Sequence, residues 1–329
     1  MSFLALFLGV YVLSDLSPRT ILLAGPTATG KTALSVALAQ RLSGEIVSAD
    51  SMQVYRGFAI GTAQPTADDL QGVICHLIGC VAPEILWTVA DWRREALDRI
   101  ADIHARGKTA IVAGGTGLYF KALTQGLFDA DAAAGSPELR RRLESEWDAD
   151  AGVGLRERLA AVDPEASRRI HPNDRLRIVR ALEVFERTGT ALSDLQLRAR
   201  RERRPLEAHR FVLTAPRSAL YERIDRRVVE MVNRGFVEEV RGLTRQGLRD
   251  DWPAMKALGY MQMLRVVHGE QSLEDAVSET QRLNRRYAKQ QTVLLRQWPG
   301  SVWLDALESP EKTLHAAEIC LEFPPFRGF

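Results

Sequence analysis

Short unbroken apolar runs alternate along this chain with stretches whose apolar positions recur every three or four residues. Ile21-Leu22-Leu23-Ala24 is one such run, and Ala33 to Leu42 behind it has helical spacing. Glu45 to Ala49, Val73 to Ile78, Thr109 to Ala113, Phe211-Val212-Leu213-Thr214 and Ser301 to Leu304 predict further strands. Between them, Val89 to Arg106 carries a helical stripe of Trp92, Ala96, Leu97, Ile100 and Ile103, stopped by Gly107. Leu118 to Leu123 predicts a short helix. After the 211–214 run, Leu220, Ile224, Val228 and Met231 mark a long helix that Gly235 breaks. Helices over 236–247, 256–268 and 272–297 follow.

One stretch departs from the alternation. From Ser136 to Pro205 the pattern predicts helices only, over 137–147, 153–161 and 174–187, and an Ala/Asp linker from Asp129 to Gly135 precedes them. Strands alternate with helices on both sides of this stretch. The expected fold is therefore an α/β parallel sheet flanked by helices, formed by 18–135 and 206–329, with an all-helical insertion over 136–205. In such sheets ligands bind outside the carboxyl ends of the strands, so the loops after those strands should converge on one crevice.

The loop after the first strand is Gly25-Pro26-Thr27-Ala28-Thr29-Gly30-Lys31-Thr32, which fits G-x-x-x-x-G-K-[ST] with strand before and helix after. Its glycines let the backbone turn N–H groups toward phosphate oxygens. Lys31 supplies charge for the terminal phosphates, and the Thr32 hydroxyl suits Mg²⁺. The spelling does not say which polyphosphate is held. Asp50 closes the second strand. It suits a carboxylate on the Mg²⁺ side, a general base at the crevice mouth, or a plain Asx turn. Thr116, in Gly114-Gly115-Thr116-Gly117, is either an exposed hydroxyl in a close backbone approach or part of a simple turn. Arg217 and Arg223 open the helix after the 211–214 strand and suit diphosphate oxygens, ahead of their neighbours Arg226 and Arg227; a solvated helix face is the alternative. Arg177 and Arg180 lie on one helix face in the insertion, where they can meet a nucleic-acid backbone or pair with Glu183.

Bulk properties narrow the classes. At 329 residues and 46% hydrophobic content the chain can bury a large core. A formal net charge of +2 excludes a wholly basic nucleic-acid binder, so such a partner must be met by local patches such as Arg198 to Arg204. Three cysteines, Cys75, Cys80 and Cys320, argue against a disulfide framework and suit a reducing cytoplasm. Cys75 and Cys80 with His76 are too few for zinc. The apolar run Phe3 to Leu13 is too short to span a bilayer and has no basic flank, so neither a membrane nor a secretory signal is expected.

The motifs form an ordered series. The phosphate loop is followed by Asp50-Ser51-Met52-Gln53-Val54-Tyr55-Arg56-Gly57, Gly61-Thr62-Ala63, Val89-Ala90-Asp91-Trp92 and Gly114-Gly115-Thr116-Gly117-Leu118-Tyr119. Ile170-His171-Pro172-Asn173-Asp174, Arg180-Ala181-Leu182-Glu183-Val184 and Leu258-Gly259-Tyr260 continue it, with Gln262. The set resembles the tRNA dimethylallyltransferase (tRNA isopentenyl transferase) family from about Thr20 to about Trp298.

The resemblance implies transfer of a dimethylallyl group from dimethylallyl diphosphate to N6 of the adenosine 3′-adjacent to the anticodon of tRNA, with release of diphosphate. The phosphate loop would then hold a prenyl diphosphate with Mg²⁺. Asp50 would be the base, and Thr116 would lie near the attacking nitrogen. The implied tRNA contacts, gripping the anticodon stem-loop, fall on Asp50, Ser51, Met52, Gln53, Arg140, Arg177, Arg180, Lys256, Gly259 and Tyr260. A cytoplasmic monomer is the corresponding expectation. The chain departs from the family at Cys75-His76-Leu77-Ile78-Gly79, where paired histidines are usual. It departs again at Tyr287 to Val293, which lacks an arginine at 290 and an aromatic at 293. Two rival readings are an ATP-dependent small-molecule kinase, with the insertion as its lid, and a nucleotide-gated RNA-binding module without chemistry.

Overall fold

A computed structural model describes residues 19–126, 136–202 and 206–323. The Phe3–Leu13 run, the Asp129–Gly135 linker and Arg203 and Arg204 of the basic run lie outside the described residues. Six parallel strands form one sheet: β1 (Thr20–Ala24), β2 (Glu45–Ser48), β3 (Cys75–His76), β4 (Ala110–Gly114), β5 (His209–Thr214) and β6 (Val302–Asp305). Their order is β3-β2-β4-β1-β5-β6, with Ala24 opposite Gly114 on one side and Val212 on the other. The chain joins β1 to β2 by α1 (Lys31–Arg41) and then continues through α2 (Ala67–Leu70), α3 (Val89–Ala105) and α4 (Gly117–Gln125).

Both faces of the sheet are covered, which is why the strands read as continuous apolar runs. Alternate residues of one strand enter opposite layers. Leu22, Val47, Val112 and Val212 pack with Trp92, Ile100 and Phe120 of α3 and α4. Ile21, Leu23, Ile46, Ile111 and Phe211 face the other way, onto Leu34 and Leu38 of α1.

The 136–202 stretch holds five helices: α5 (Pro137–Asp150), α6 (Val153–Val162), α7 (Pro164–Arg169), α8 (Arg175–Thr188) and α9 (Leu192–Glu202). Their apolar sides form a separate cluster that includes Leu143, Leu159, Ile178 and Leu182. Three of the five follow the apolar spacing. The expectation missed α7, a six-residue helix capped by the Asp163 carboxylate on Ala166 N, and α9, whose sequence is mostly polar.

After β5 come α10 (Arg217–Asn233) and α11 (Phe236–Arg245), a 3-10 turn (Pro253–Lys256), α12 (Tyr260–Val267), α13 (Leu273–Leu295) and, beyond β6, α14 (Pro310–Leu321). Two boundaries correct the expectation. The helix expected over 256–268 is split at Gly259, whose φ of 97° is left-handed and whose Cβ would lie 2.8 Å from Phe236. The strand expected over 73–78 shrinks to two residues, because Leu77 turns to φ 62°. Among the described residues no helix is long and apolar enough to cross a membrane.

Candidate active site

The carboxyl ends of β1, β2 and β4 open onto one crevice of about 440 Å³, closed on the far side by α10, the 3-10 turn and α13. The phosphate loop forms its floor. Gly25 is buried, and a Cβ there would meet Leu213 O and Thr29 Oγ1, both at 2.9 Å. Pro26 O accepts from Thr29 Oγ1 at 2.8 Å and from Lys31 Nζ at 2.7 Å, which folds the loop on itself. Ala28 and Gly30 are both left-handed, at φ 64° and 82°. Thr27, Ala28, Gly30, Lys31 and Thr32 line the crevice.

Asp50 lines the same crevice. Its Oδ1 accepts from Met52 N at 2.9 Å and Gln53 N at 3.2 Å, so the Asx turn is present and engages one carboxylate oxygen. Thr116 stands beside this turn without itself lining the crevice, which Gly114 and Gly115 do: its Oγ1 accepts from Ser51 N at 3.1 Å, and its own N–H donates to Ala49 O at 3.1 Å. Such proximity needs glycine at 114, where a Cβ would lie 2.2 Å from Ala49 O. Ser51, Met52 and Gln53 also line the crevice, and the Gln53 amide donates to Thr62 O and Ala63 O, tying in the 61–63 loop.

The arginines differ from expectation. Arg217 is exposed, stacked over the Tyr221 ring at 5.0 Å and bonded to its hydroxyl at 2.9 Å, and it is not among the crevice-lining residues. Arg223 donates to Ala306 O at 3.0 Å, beyond the end of β6, and does not line the crevice either. Arg227 does, and its Nη1 donates to Thr27 Oγ1 at 2.7 Å. Position along the helix, and for Arg217 also helix phase, is the cause: Arg223 lies about one turn before Arg227 and is drawn to Ala306 O. At roughly 100° and 1.5 Å per residue, Arg217 lies about 80° round from Arg227 and about 15 Å along the axis. Arg227, Met231 and Arg234, spaced i, i+4 and i+7, present one stripe to the crevice. That spacing was available in the sequence.

Two of the expected tRNA-facing positions also turn inward. Tyr260 is wholly buried against Phe58 and Phe236, with its hydroxyl donating to Glu239 Oε1 at 2.6 Å. Burial first, and then the Glu239 carboxylate, push its phenol upward in pKa. Gly259 is buried beneath the same ring cluster. The other Glu239 contacts are the N–H groups of Ala59, Ile60 and Gly61, so this carboxylate holds the crevice-side loop that carries Gly61. Lys256 is exposed on the crevice rim. In the insertion, Arg177 is 75% exposed and pairs with Asp174 at 3.0 Å, while Arg140 and Arg180 both pair with the buried Glu183, at 2.8 and 2.6 Å.

Sequence reasoning passed over further crevice residues, among them Tyr287 and Gln291. With Asn284 they are spaced i, i+3 and i+7 on α13, a lining stripe that helical periodicity could have revealed. Burial, with the Asp50 charge, pushes the Tyr287 phenol up to about 12.

Charge in the crevice is uneven. Lys31, Arg227, Arg234 and Lys256 line it against Asp50 and Asp69. Burial and then Arg227 draw the Lys31 ammonium down from 10.5 to about 7, while Asp50 opposes the shift. Burial also lowers Arg227, against the pull of Asp50. Two partly desolvated cations therefore await an anion, next to a carboxylate suited to an incoming amine. Magnesium fits this donor set. It needs few protein ligands beside phosphate and water oxygens, and the Thr32 hydroxyl offers one in the crevice.

Fold and site together define a P-loop α/β protein with a helical unit inserted before β5 and a cationic crevice at the strand ends. The model of the IPP transferase family matches residues 53–298. The tRNA dimethylallyltransferase of Geobacter sulfurreducens is 44% identical over 287 residues, which are 87% of this chain and 92% of that protein. That of Syntrophobacter fumaroxidans is 47% identical over 289 residues, 88% of this chain and 84% of that one. Among solved structures, the tRNA isopentenylpyrophosphate transferase of Bacillus halodurans superposes with a TM-score of 0.68 at 36% identity, covering 92% of this chain and 96% of that one. A eukaryotic dimethylallyltransferase acting on tRNA gives 0.78 at 26% identity, covering 95% and 81%. The chain belongs to the tRNA dimethylallyltransferase family.

Proposed function

We propose that the chain transfers the dimethylallyl group of dimethylallyl diphosphate to N6 of the adenosine 3′-adjacent to the anticodon of a tRNA, releasing diphosphate. The observation that carries this reading is the sharing of one crevice by Lys31, Arg227 and Asp50 in a chain of this family. As the allylic C–O bond breaks, its electron pair leaves with the diphosphate. Lys31, Arg227 and the N–H groups of the phosphate loop neutralise that charge. N6 attacks the freed carbon and loses a proton, which Asp50 accepts. Thr116, fixed beside the Asp50 turn, orients the acceptor. Mg²⁺ held by Thr32 would add charge stabilisation on the diphosphate, leaving the second Asp50 oxygen free for the proton.

The adenosine must leave its stack to enter so narrow a space. Ser51, Met52, Gln53 and Lys256 are the tRNA contacts at the crevice, with Arg177 and its neighbours Arg140 and Arg180 meeting the anticodon stem through phosphates. Incubation with labelled dimethylallyl diphosphate, Mg²⁺ and unmodified tRNA tests the reading directly. Label is expected on that adenosine. Unlabelled tRNA together with ATP turnover in the absence of tRNA would instead establish the small-molecule kinase.

A further inference from the structure

Gln291 is 6% exposed and projects from α13 between two loops that carry opposite halves of the site. Its Oε1 accepts from the N–H of Thr27, in the phosphate loop, at 3.0 Å. Its Nε2 donates to Gly115 O, one residue before Thr116, at 2.9 Å. The fit is tight: a Cβ on Gly115 would stand 2.2 Å from that nitrogen. Each contact continues outward. Thr27 takes the Arg227 guanidinium on its hydroxyl, and Thr116 takes the N–H of Ser51, next to Asp50. The base of the bridge is itself pinned, because Gln281 and Arg285 of α13 bond to Asp225 of α10 at 3.1 and 2.5 Å.

A primary amide suits this place for a chemical reason. It accepts at one end and donates at the other, within one rigid plane. Glutamate at neutral pH accepts only, and methionine of similar length does neither. A linker in the core that merely filled space would need no polar atoms, and burying them without partners would cost stability.

We propose that Gln291 is a positioning residue for the transfer reaction: its amide holds the phosphate loop and the Gly115-Thr116 loop in one register, so that the departing diphosphate and the incoming amine meet at the same carbon. The proposal rests on the assignment of Asp50 and Thr116 to the acceptor side. Gln291 lines the crevice, but both ends of its amide are taken by the two loops. Its effect falls on the approach geometry, where an error of about 1 Å costs on the order of 10²-fold in rate.

The test compares Gln291→Met, Gln291→Glu and Asp50→Asn with the parent chain under single-turnover conditions, using tRNA and dimethylallyl diphosphate. For both Gln291 variants the transfer rate at saturation is expected to fall by about 10²-fold. Half-saturating concentrations of the two substrates should stay close to those of the parent, and the thermal midpoint should fall by only about a few degrees, the cost of two unpaired backbone groups in a chain of this size. Transfer rates within about threefold of the parent in both Gln291 variants would overturn the proposal. A collapse of thermal midpoint and of substrate affinity in both would also overturn it, assigning Gln291 to structural support alone. The Asp50→Asn arm separates the two assignments: retained turnover there sinks the base assignment, whatever the Gln291 variants do.

Discussion

Lys31 is the group whose protonation the structure constrains most usefully. Burial and the Arg227 charge bring its ammonium down to about 7, from 10.5 in the open chain. In the free protein at pH 8, about nine-tenths of the molecules then carry a neutral Lys31. A diphosphate bound in the same crevice supplies the missing counter-charge and restores the proton, so binding should draw a proton from solution. Diphosphate has its own titration, and a Lys31→Arg variant, charged throughout this range, subtracts it. Isothermal titration calorimetry in two buffers of different ionisation enthalpy reads the difference. The parent chain should take up about 0.9 proton more than Lys31→Arg at pH 8, and close to none more at pH 5.5. Equal uptake by the two proteins at pH 8 would refute the reasoning. The same shift acts on folding. Between about 7 and 10.5 the unfolded chain holds this proton and the folded one does not, so the Lys31 contribution to stability rises with pH across that window and is flat below it.

Asp50→Asn should lower single-turnover transfer by about 10²–10⁴-fold, the usual worth of a general base, with tRNA affinity in filter binding nearly unchanged. Arg227→Gln should cost on the order of 10²-fold in transfer rate, because one donor to the developing anion is lost, whereas Arg217→Ala should stay within about threefold; the reverse ranking would restore the expectation from strand ends over the observed helix phase. Glu239→Ala strips the partners from three loop N–H groups and the Tyr260 hydroxyl. Urea denaturation should show a loss of about 2–3 kcal/mol.

Much of the fold was legible because this sheet is buried on both faces. Ile21-Leu22-Leu23-Ala24 could be a strand without any alternation, and the glycines of the phosphate loop then fixed where the chain turned. The pattern was least informative where tertiary contacts decide. Arg217 follows its strand closely, yet no residue from Thr214 to Arg217 lines the crevice, so the strand-end rule fails for this loop. What the rule does not carry is the run of α10 past the crevice, which brings Arg227, about three turns in, to its wall. Gln291 was harder still. Its partners are 264 and 176 residues distant in sequence, and no local spacing encodes either contact. Gly259 and Tyr260 failed in the opposite way. A family motif marks positions under constraint, and burial against Phe236 constrains a residue as firmly as an RNA would.

Other motif residues likewise act from outside the crevice and aim the site. Asp91 takes no place in the crevice lining. It closes a capping box with Thr88 at the start of α3, which sets the next residue, Trp92, in a fully buried position. The Trp92 indole N–H donates to Ser48 O at 2.8 Å, at the last residue of β2, and its ring stacks on Tyr119 at 4.1 Å. Tyr119 belongs to α4, the helix that begins immediately after Thr116. One capped helix thus grips, through a single indole, both the strand that ends two residues before Asp50 and the helix that follows Thr116. The spacing between Asp50 and Thr116 is fixed from behind by this contact and directly by the Ser51 N–H on the Thr116 hydroxyl, while Gln291 ties the Gly115-Thr116 loop to the phosphate loop. A substitution at Asp91 or Trp92 should therefore disturb transfer geometry from outside the crevice, through β2 and α4 together.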